Sequence, residues 1–314
     1  VMGGRPWPVN VDGRYRGLVT VRQALSNSYN TVSVRVLADL VTPENSFNFV
    51  EEHFHLDLED GVEIGGQMKS DIGVAPLSMG GLTYGVNTRD MAEAFAVFPN
   101  GGLYQKSRTY TKVTDSEGNT IMENTPNTDK GFTNVRTDYY MLDCLQNVTA
   151  HGTAYGIQLD GVETGGKTGT TTDDKDRWFM GGTPDFVAGV WYGYDQPKEI
   201  YYVLSGNPSG TLWKTVMSAV YDKLDSDQYK TKFEEPEGIV KRSYCPSCGK
   251  LRSGTGVYGW YDVNNLPGNC SGGHGYSTGG SSGSGSYGNS GSSGKTTTAA
   301  DGENTTAAGG ETTA

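Results

Sequence analysis

Positive charge is scarce in this sequence: 25 Lys and Arg stand against 36 Asp and Glu, giving a formal net charge of −11 and a pI near 4.8. No stretch gathers the cations into a stripe. Contact with phosphate backbones rests on such clusters, so nucleic acid is excluded as a general partner. A long apolar run is also missing: nothing approaches the roughly 18 residues that a membrane span needs, and no signal-peptide pattern stands before Val1. The opening Val1-Met2-Gly3-Gly4-Arg5-Pro6-Trp7-Pro8 does not begin with Met. Of a cytosolic protein and a piece that has lost its N-terminus, the second is the expectation. Histidine is sparse too. His53 and His55 lie two residues apart in a helical pattern and so point about 200° apart, which excludes a shared metal.

What the sequence does contain is unevenly distributed. Aliphatic and aromatic periodicity ends near residue 230, whereas 271–314 is Gly, Ser and Thr with almost nothing to bury. One globular body and a disordered tail are expected. Thr20 with Gln23 forms a capping-box pattern ahead of Val21, Ala24 and Leu25. Ser26-Asn27-Ser28-Tyr29-Asn30 then competes for the backbone and breaks the helix, and a second helix carries Val32, Val36, Leu37 and Leu40. The corner between them displays Ser28 and Asn30. Thr42-Pro43-Glu44 starts a third helix, with Phe47, Val50 and Phe54 on its apolar face. Residues 61–87 read as glycine-rich connection. Further helices are expected from Thr88 to Phe98 and over 136–148, and a hairpin over 110–122. Beyond these, 163–172, 177–182 and 186–194 read as an antiparallel meander covered by a helix over 211–224. Helices before and after an antiparallel sheet make an α+β architecture.

The stretch Val162–Asp176 holds a lone lysine among glycines and hydroxyls. From Gly161 to Thr168 it satisfies a P-loop pattern. A phosphate cradle needs a hydrophobic strand before its glycines and a helix immediately after its lysine. Here 152–160 is mixed, and Gly169-Thr170-Thr171-Thr172 is poor helix material, so no nucleotide is expected. Lys167-Thr168-Gly169-Thr170 instead suits a strand at a sheet edge. Gly169 leaves room for a substrate backbone, Thr170 can present its N–H to a reacting carbonyl oxygen, and Lys167 supplies a cation for a carboxylate.

Agreement along the chain gives this lysine its context. Pro8-Val9-Asn10, Tyr15–Leu25, Ser28-Tyr29-Asn30, Gly80–Val86, Asn100-Gly101-Gly102, Gly152-Thr153-Ala154, Gly166–Thr171, Asp176–Asp185 and Val190–Asp195 occur in the order found in one family. Over residues 5–225 the chain resembles the transpeptidase domain of class A penicillin-binding proteins, the bifunctional wall synthases. The resemblance implies the penicillin-binding transpeptidase and serine β-lactamase-like fold, α+β with a helical lobe. It also implies a D-Ala-D-Ala transpeptidase acting through an acyl-serine on peptidoglycan stem peptides, inhibited covalently by β-lactams, without a cofactor or a catalytic metal. By motif, Ser28 would relay protons and Asn30 would hold substrate amides. Lys167 and Thr168 would bind the terminal carboxylate, and the Thr170 N–H would form half an oxyanion hole beside Gly169. The implied location is the extracytoplasmic, wall-side face of the bacterial plasma membrane.

One family motif is missing. No Ser-x-x-Lys precedes Ser28, and Ser247–Lys250 and Ser292–Lys295, which match it later, stand on the wrong side of the lysine. The chain is therefore expected to be the C-terminal portion of a longer protein, without its glycosyltransferase domain, membrane anchor and first active-site helix, so that apolar faces of the first helices lie open. A degraded nucleophile, leaving a non-catalytic wall-peptide or β-lactam sensor or a scaffold, is the alternative. The expected division is 1–232 transpeptidase portion, 233–270 small Cys-containing appendage and 271–314 tail. Cys245, Cys248, Cys270 and His274 read either as zinc ligands or as disulfide partners, and an oxidising exterior favours a disulfide from Cys270 to Cys245 or Cys248. Cys144 is expected to be a buried free thiol.

Overall fold

Caps as much as periodicity set the backbone of the first sixty residues. The structure is a computed structural model describing residues 6–126, 128–129, 134–200 and 206–274. In α1 (Val21–Ser26) both halves of the Thr20/Gln23 capping box form. The chain turns before α2 (Asn30–Val36) and widens through a π turn at Leu37–Val41. It then enters α3 (Pro43–Phe54), whose Thr42 side chain accepts the Asn45 N–H. Ala24, Val34, Leu37 and Phe47 are buried, whereas Val21, Val36 and Leu40 are 65%, 37% and 79% exposed. The open apolar helix faces expected from the sequence are thus present. Residues 61–87, read as connection, contain a hairpin of β1 (Val62–Ile64) and β2 (Gln67–Lys69) and a short helix α4 (Val74–Met79). Their strands are three residues long and largely exposed, too short to leave a period in the sequence.

Helix α5 (Thr88–Ala96) is capped by Asn87, one residue earlier than expected, because its Oδ1 accepts the Asp90 N–H at 2.9 Å. A short pairing of β3 (Tyr104–Gln105) with β6 (Thr128–Asp129) encloses the expected hairpin of β4 (Lys112–Thr114) and β5 (Thr120–Glu123). Helix α6 (Val135–His151) follows, capped by Asn134. The meander is present as β7 (Gly165–Thr170), β8 (Asp176–Gly182) and β9 (Val187–Gly193), antiparallel and in that spatial order. Its covering helix α7 (Pro208–Tyr221) begins three residues earlier than its apolar stripe suggests, because Asn207 caps it and Pro208 takes the first position.

Alternation along β8 places the sheet between helices. Phe179, fully buried, meets Trp213 of α7 edge-on at 5.3 Å, while its neighbour Met180 packs with Phe95 of α5 and Leu145 of α6. Beyond α7, β10 (Ile239–Ser243) and β11 (Tyr258–Asp262) form an antiparallel hairpin. It docks on the start of α6: Phe233 and Trp260 pack with Tyr139 and Leu142, and Arg136 Nη1 donates to Asp262 Oδ2 at 2.6 Å. Two of the sequence expectations about cysteine change. Cys245, Cys248 and Cys270 are unbridged rather than paired, because three sulfurs converge on one point and no pair is singled out. Cys144 is a free thiol, but only partly buried. Residues 1–272 form one compact unit. In the tail expected over 271–314, residues from 275 lie outside the described part. Among the described residues no helix is long and apolar enough to cross a membrane.

Candidate active site

The corner between α1 and α2 is strained. Ser28 has φ of 54°, a left-handed conformation that costs a side-chain-bearing residue about 1–2 kcal/mol. It persists because both sides are pinned: the Ser28 and Tyr29 N–H groups donate to the carbonyls of Leu25 and Ala24 at 3.2 and 2.9 Å. Tyr29, at the cap position of α2, contributes no side-chain bond. Asn10, almost fully buried, does so from a distance. Its Oδ1 accepts the Thr31 N–H and hydroxyl at 3.1 and 3.2 Å, and its Nδ2 donates to the Arg14 carbonyl. Asn30 opens α2, and its Nδ2 donates to the Val9 carbonyl at 2.8 Å.

Helix α6 carries this corner to the sheet. Asp143 pairs with Arg22, and Asn147 Nδ2 donates to the buried Ser26 hydroxyl at 2.6 Å. At the C-terminus of α6 the Thr153 N–H donates to the Ser26 carbonyl at 2.9 Å. That approach requires glycine at 152: a Cβ there would lie 2.3 Å from the Ser26 carbonyl oxygen. The other end of the same connection leads directly into β7.

Among the described residues, β7 has a strand partner on one side only, β8. Lys167 stands opposite Met180, and its ammonium donates to Ser28 Oγ at 3.0 Å and to the Thr168 carbonyl at 2.8 Å. Burial pushes the Lys167 ammonium down to about 8, so near neutral pH it remains mostly charged. The Thr168 and Thr153 hydroxyls are 2.7 Å apart. Gly169 faces Trp178 across the ladder, and Thr170, exposed at the strand end, accepts from Arg177 Nη1 at 3.4 Å. After Thr170 comes a short 3₁₀ turn and then β8. There is no helix to receive a phosphate, in agreement with the rejection of the P-loop.

The structure thus brings Ser28 to Lys167 across 139 residues of sequence, sets Asn30 on the same corner, and lines Thr168, Gly169 and Thr170 along the strand edge. Sequence reasoning gave no role to Asn10, Gly152 or Thr153, although each falls within a matched stretch. Chemically, a partly desolvated cation beside a serine hydroxyl, on a strand with a free edge, can pair with a peptide backbone and hold a carboxylate while moving a proton nearby.

Helices packed on both faces of an antiparallel sheet, with that cation on its edge strand, define the class as a transpeptidase-fold protein. The family model for the penicillin-binding protein transpeptidase domain matches residues 3–202, and the chain belongs to that family. It is 34% identical over 214 residues to Penicillin-binding protein 4 of Bacillus subtilis, covering 68% of this chain and 32% of that protein. It is also 34% identical over 248 residues to Penicillin-binding protein 1A of Clostridium perfringens, covering 79% of this chain and 29% of the relative. The chain therefore spans about a third of the length of these relatives. Among solved structures, penicillin-binding protein 1A from Haemophilus influenzae superposes with a TM-score of 0.66 at 21% identity, over 85% of this chain and 43% of that one. At that identity the likeness concerns the fold.

Proposed function

We propose that residues 1–232 carry the Lys-Thr-Gly and Ser-x-Asn walls of a D,D-transpeptidase pocket, and that the whole polypeptide cross-links peptidoglycan stem peptides on the wall side of the plasma membrane. The hydrogen bond from Lys167 Nζ to Ser28 Oγ at 3.0 Å, on an open strand edge, carries the reading. A stem peptide ending in D-Ala-D-Ala lies along β7, where Gly169 leaves room for its backbone. Lys167 and Thr168 take its carboxylate, Asn30 its amide groups, and the Thr170 N–H polarises the penultimate carbonyl. A serine oxygen attacks that carbonyl, the C–N bond to the terminal D-Ala breaks, and Ser28 passes a proton to the departing amine. An amine from a second stem then attacks the ester and frees the serine. A β-lactam enters the same way, but its opened ring stays attached. Residues 1–314 place no Ser-x-x-Lys ahead of Ser28, so the attacking serine in this reading belongs to the whole polypeptide.

The test is labelling of the whole polypeptide with a fluorescent penicillin. Lys167→Ala and Ser28→Ala are each expected to slow acylation by about 100-fold or more, and residues 1–314 alone are expected to show no adduct by intact mass. Unchanged labelling in Lys167→Ala, or a stoichiometric adduct on residues 1–314, would overturn the assignment. A whole polypeptide that binds stem peptide but never acylates would favour the sensor or scaffold.

A further inference from the structure

The C-terminal hairpin raises a question of stability that its own side chains do not answer. From 244 to 272 only Tyr244, Cys245 and Gly259 are buried, and glycines recur at 249, 254, 256, 259, 268 and 272. A segment this poor in apolar burial needs another tie to hold one conformation. The sulfurs of Cys245, Cys248 and Cys270 lie within 4.8 Å of one another. Each is brought there by a specific backbone contact.

Cys245-Pro246-Ser247-Cys248-Gly249-Lys250 folds as a tight turn. The Gly249 N–H donates to the Cys245 carbonyl at 2.8 Å, and Gly249 has φ of 72°, which glycine alone adopts freely. Cys270 arrives on a separate segment, held by its N–H to the Leu251 carbonyl at 2.8 Å. Arg242 and Arg252 line the cleft beside Cys270. They place cations where three thiolates would leave negative charge uncompensated.

We propose that Cys245, Cys248 and Cys270 bind one zinc ion as a structural site. Thiolates are the usual ligands of closed structural zinc sites, and three sulfurs converging on one point supply them. Binding releases the three thiol protons to solvent and leaves a net charge of −1 on the centre, which faces Arg242 and Arg252. Zinc here fastens the turn at 245–248 to the segment bearing Cys270. This replaces the disulfide that the sequence favours, in which one of the three sulfurs would be left over.

The experiment is metal analysis of the chain purified without chelator, followed by cobalt substitution. The expected result is one zinc per chain. The cobalt form should show sulfur-to-cobalt charge transfer and tetrahedral d–d bands, lost in Cys245→Ser, Cys248→Ser and Cys270→Ser and kept in Cys144→Ser. Variants that fail to fold leave the wild-type reading intact: three thiols should resist a thiol reagent until a chelator is added. Substoichiometric metal with freely reacting thiols, or a mass shift of two hydrogens locating a disulfide among these cysteines, would overturn the zinc site.

Discussion

Because burial pushes the Lys167 ammonium down to about 8, its charge costs folding energy at neutral pH and the neutral amine does not. Below about 8 the folded and unfolded chains both hold the proton, and the fold carries the full desolvation penalty, about 3 kcal/mol for a shift of this size. As pH rises from about 8 to 10.5 only the unfolded chain stays protonated, so the penalty disappears and stability from this residue increases. Urea denaturation of wild type and Lys167→Met across that window should therefore show wild type gaining on the variant as pH rises. Parallel curves would mean that the ammonium is not desolvated. Ser28 allows a separate test, because Ser28→Ala and Ser28→Gly lose the same hydroxyl. At φ of 54° only glycine is unstrained, so the glycine variant should be more stable by about 1 kcal/mol. Equal stabilities would show that the corner relaxes. The pairing of Ser28 with Lys167 is expected to bind carboxylate only while the lysine is charged.

Among the elements, the connection from α6 to β7 decides where the serine corner meets the strand. Thr153 bonds the Ser26 carbonyl through its backbone and the Thr168 hydroxyl through its side chain, tying α1 and β7 to one point. Gly152→Ala places a carbon 2.3 Å from the Ser26 oxygen, which is backbone and cannot swing aside. The expected cost is roughly 3 kcal/mol in thermal or urea unfolding, with slower β-lactam labelling in the whole polypeptide as Ser28 moves from Lys167. Wild-type stability in Gly152→Ala would show that the α1–α6 contact is loose. The edge position of β7 is the complementary feature. Its unpaired side can accept a peptide, whereas β8, paired on both sides, cannot.

Over the whole molecule, one apolar cluster among the described residues joins the hairpin to the body. Phe233, 5% exposed, closes a cluster with Tyr139 and Leu142 of α6. Phe233→Ala should cost about 3–4 kcal/mol, read as a lower midpoint in the unfolding curve. Ending the chain after residue 232 should do at least as much, since Trp260 and the Arg136–Asp262 pair are then lost as well. A truncated chain as stable as the full one would show that 233–270 only rests on the body.

The sequence by itself determined the elements whose signals are local: the Thr20 cap, the break at Ser28, Pro43 at a helix start, and the β7–β9 meander with its Thr- and aromatic-rich runs between turn signals. It also pointed to Lys167 as a strand-edge cation, because glycine and β-branched threonines after it disfavour a helix. Short exposed strands such as 62–64, the Asn207 cap and the hairpin at 239–262 were not legible, since a three-residue strand, a cap one turn early, or a strand broken by glycine such as 258–262 leaves no apolar period. Only the tertiary structure decided that Ser28 meets Lys167, that Asn10 rather than a neighbour caps α2, and that three cysteines converge rather than two. Each of these depends on contacts between residues far apart in the chain, made through glycine clearance and buried hydrogen bonds. Such contacts exist only once the helices and the sheet have packed.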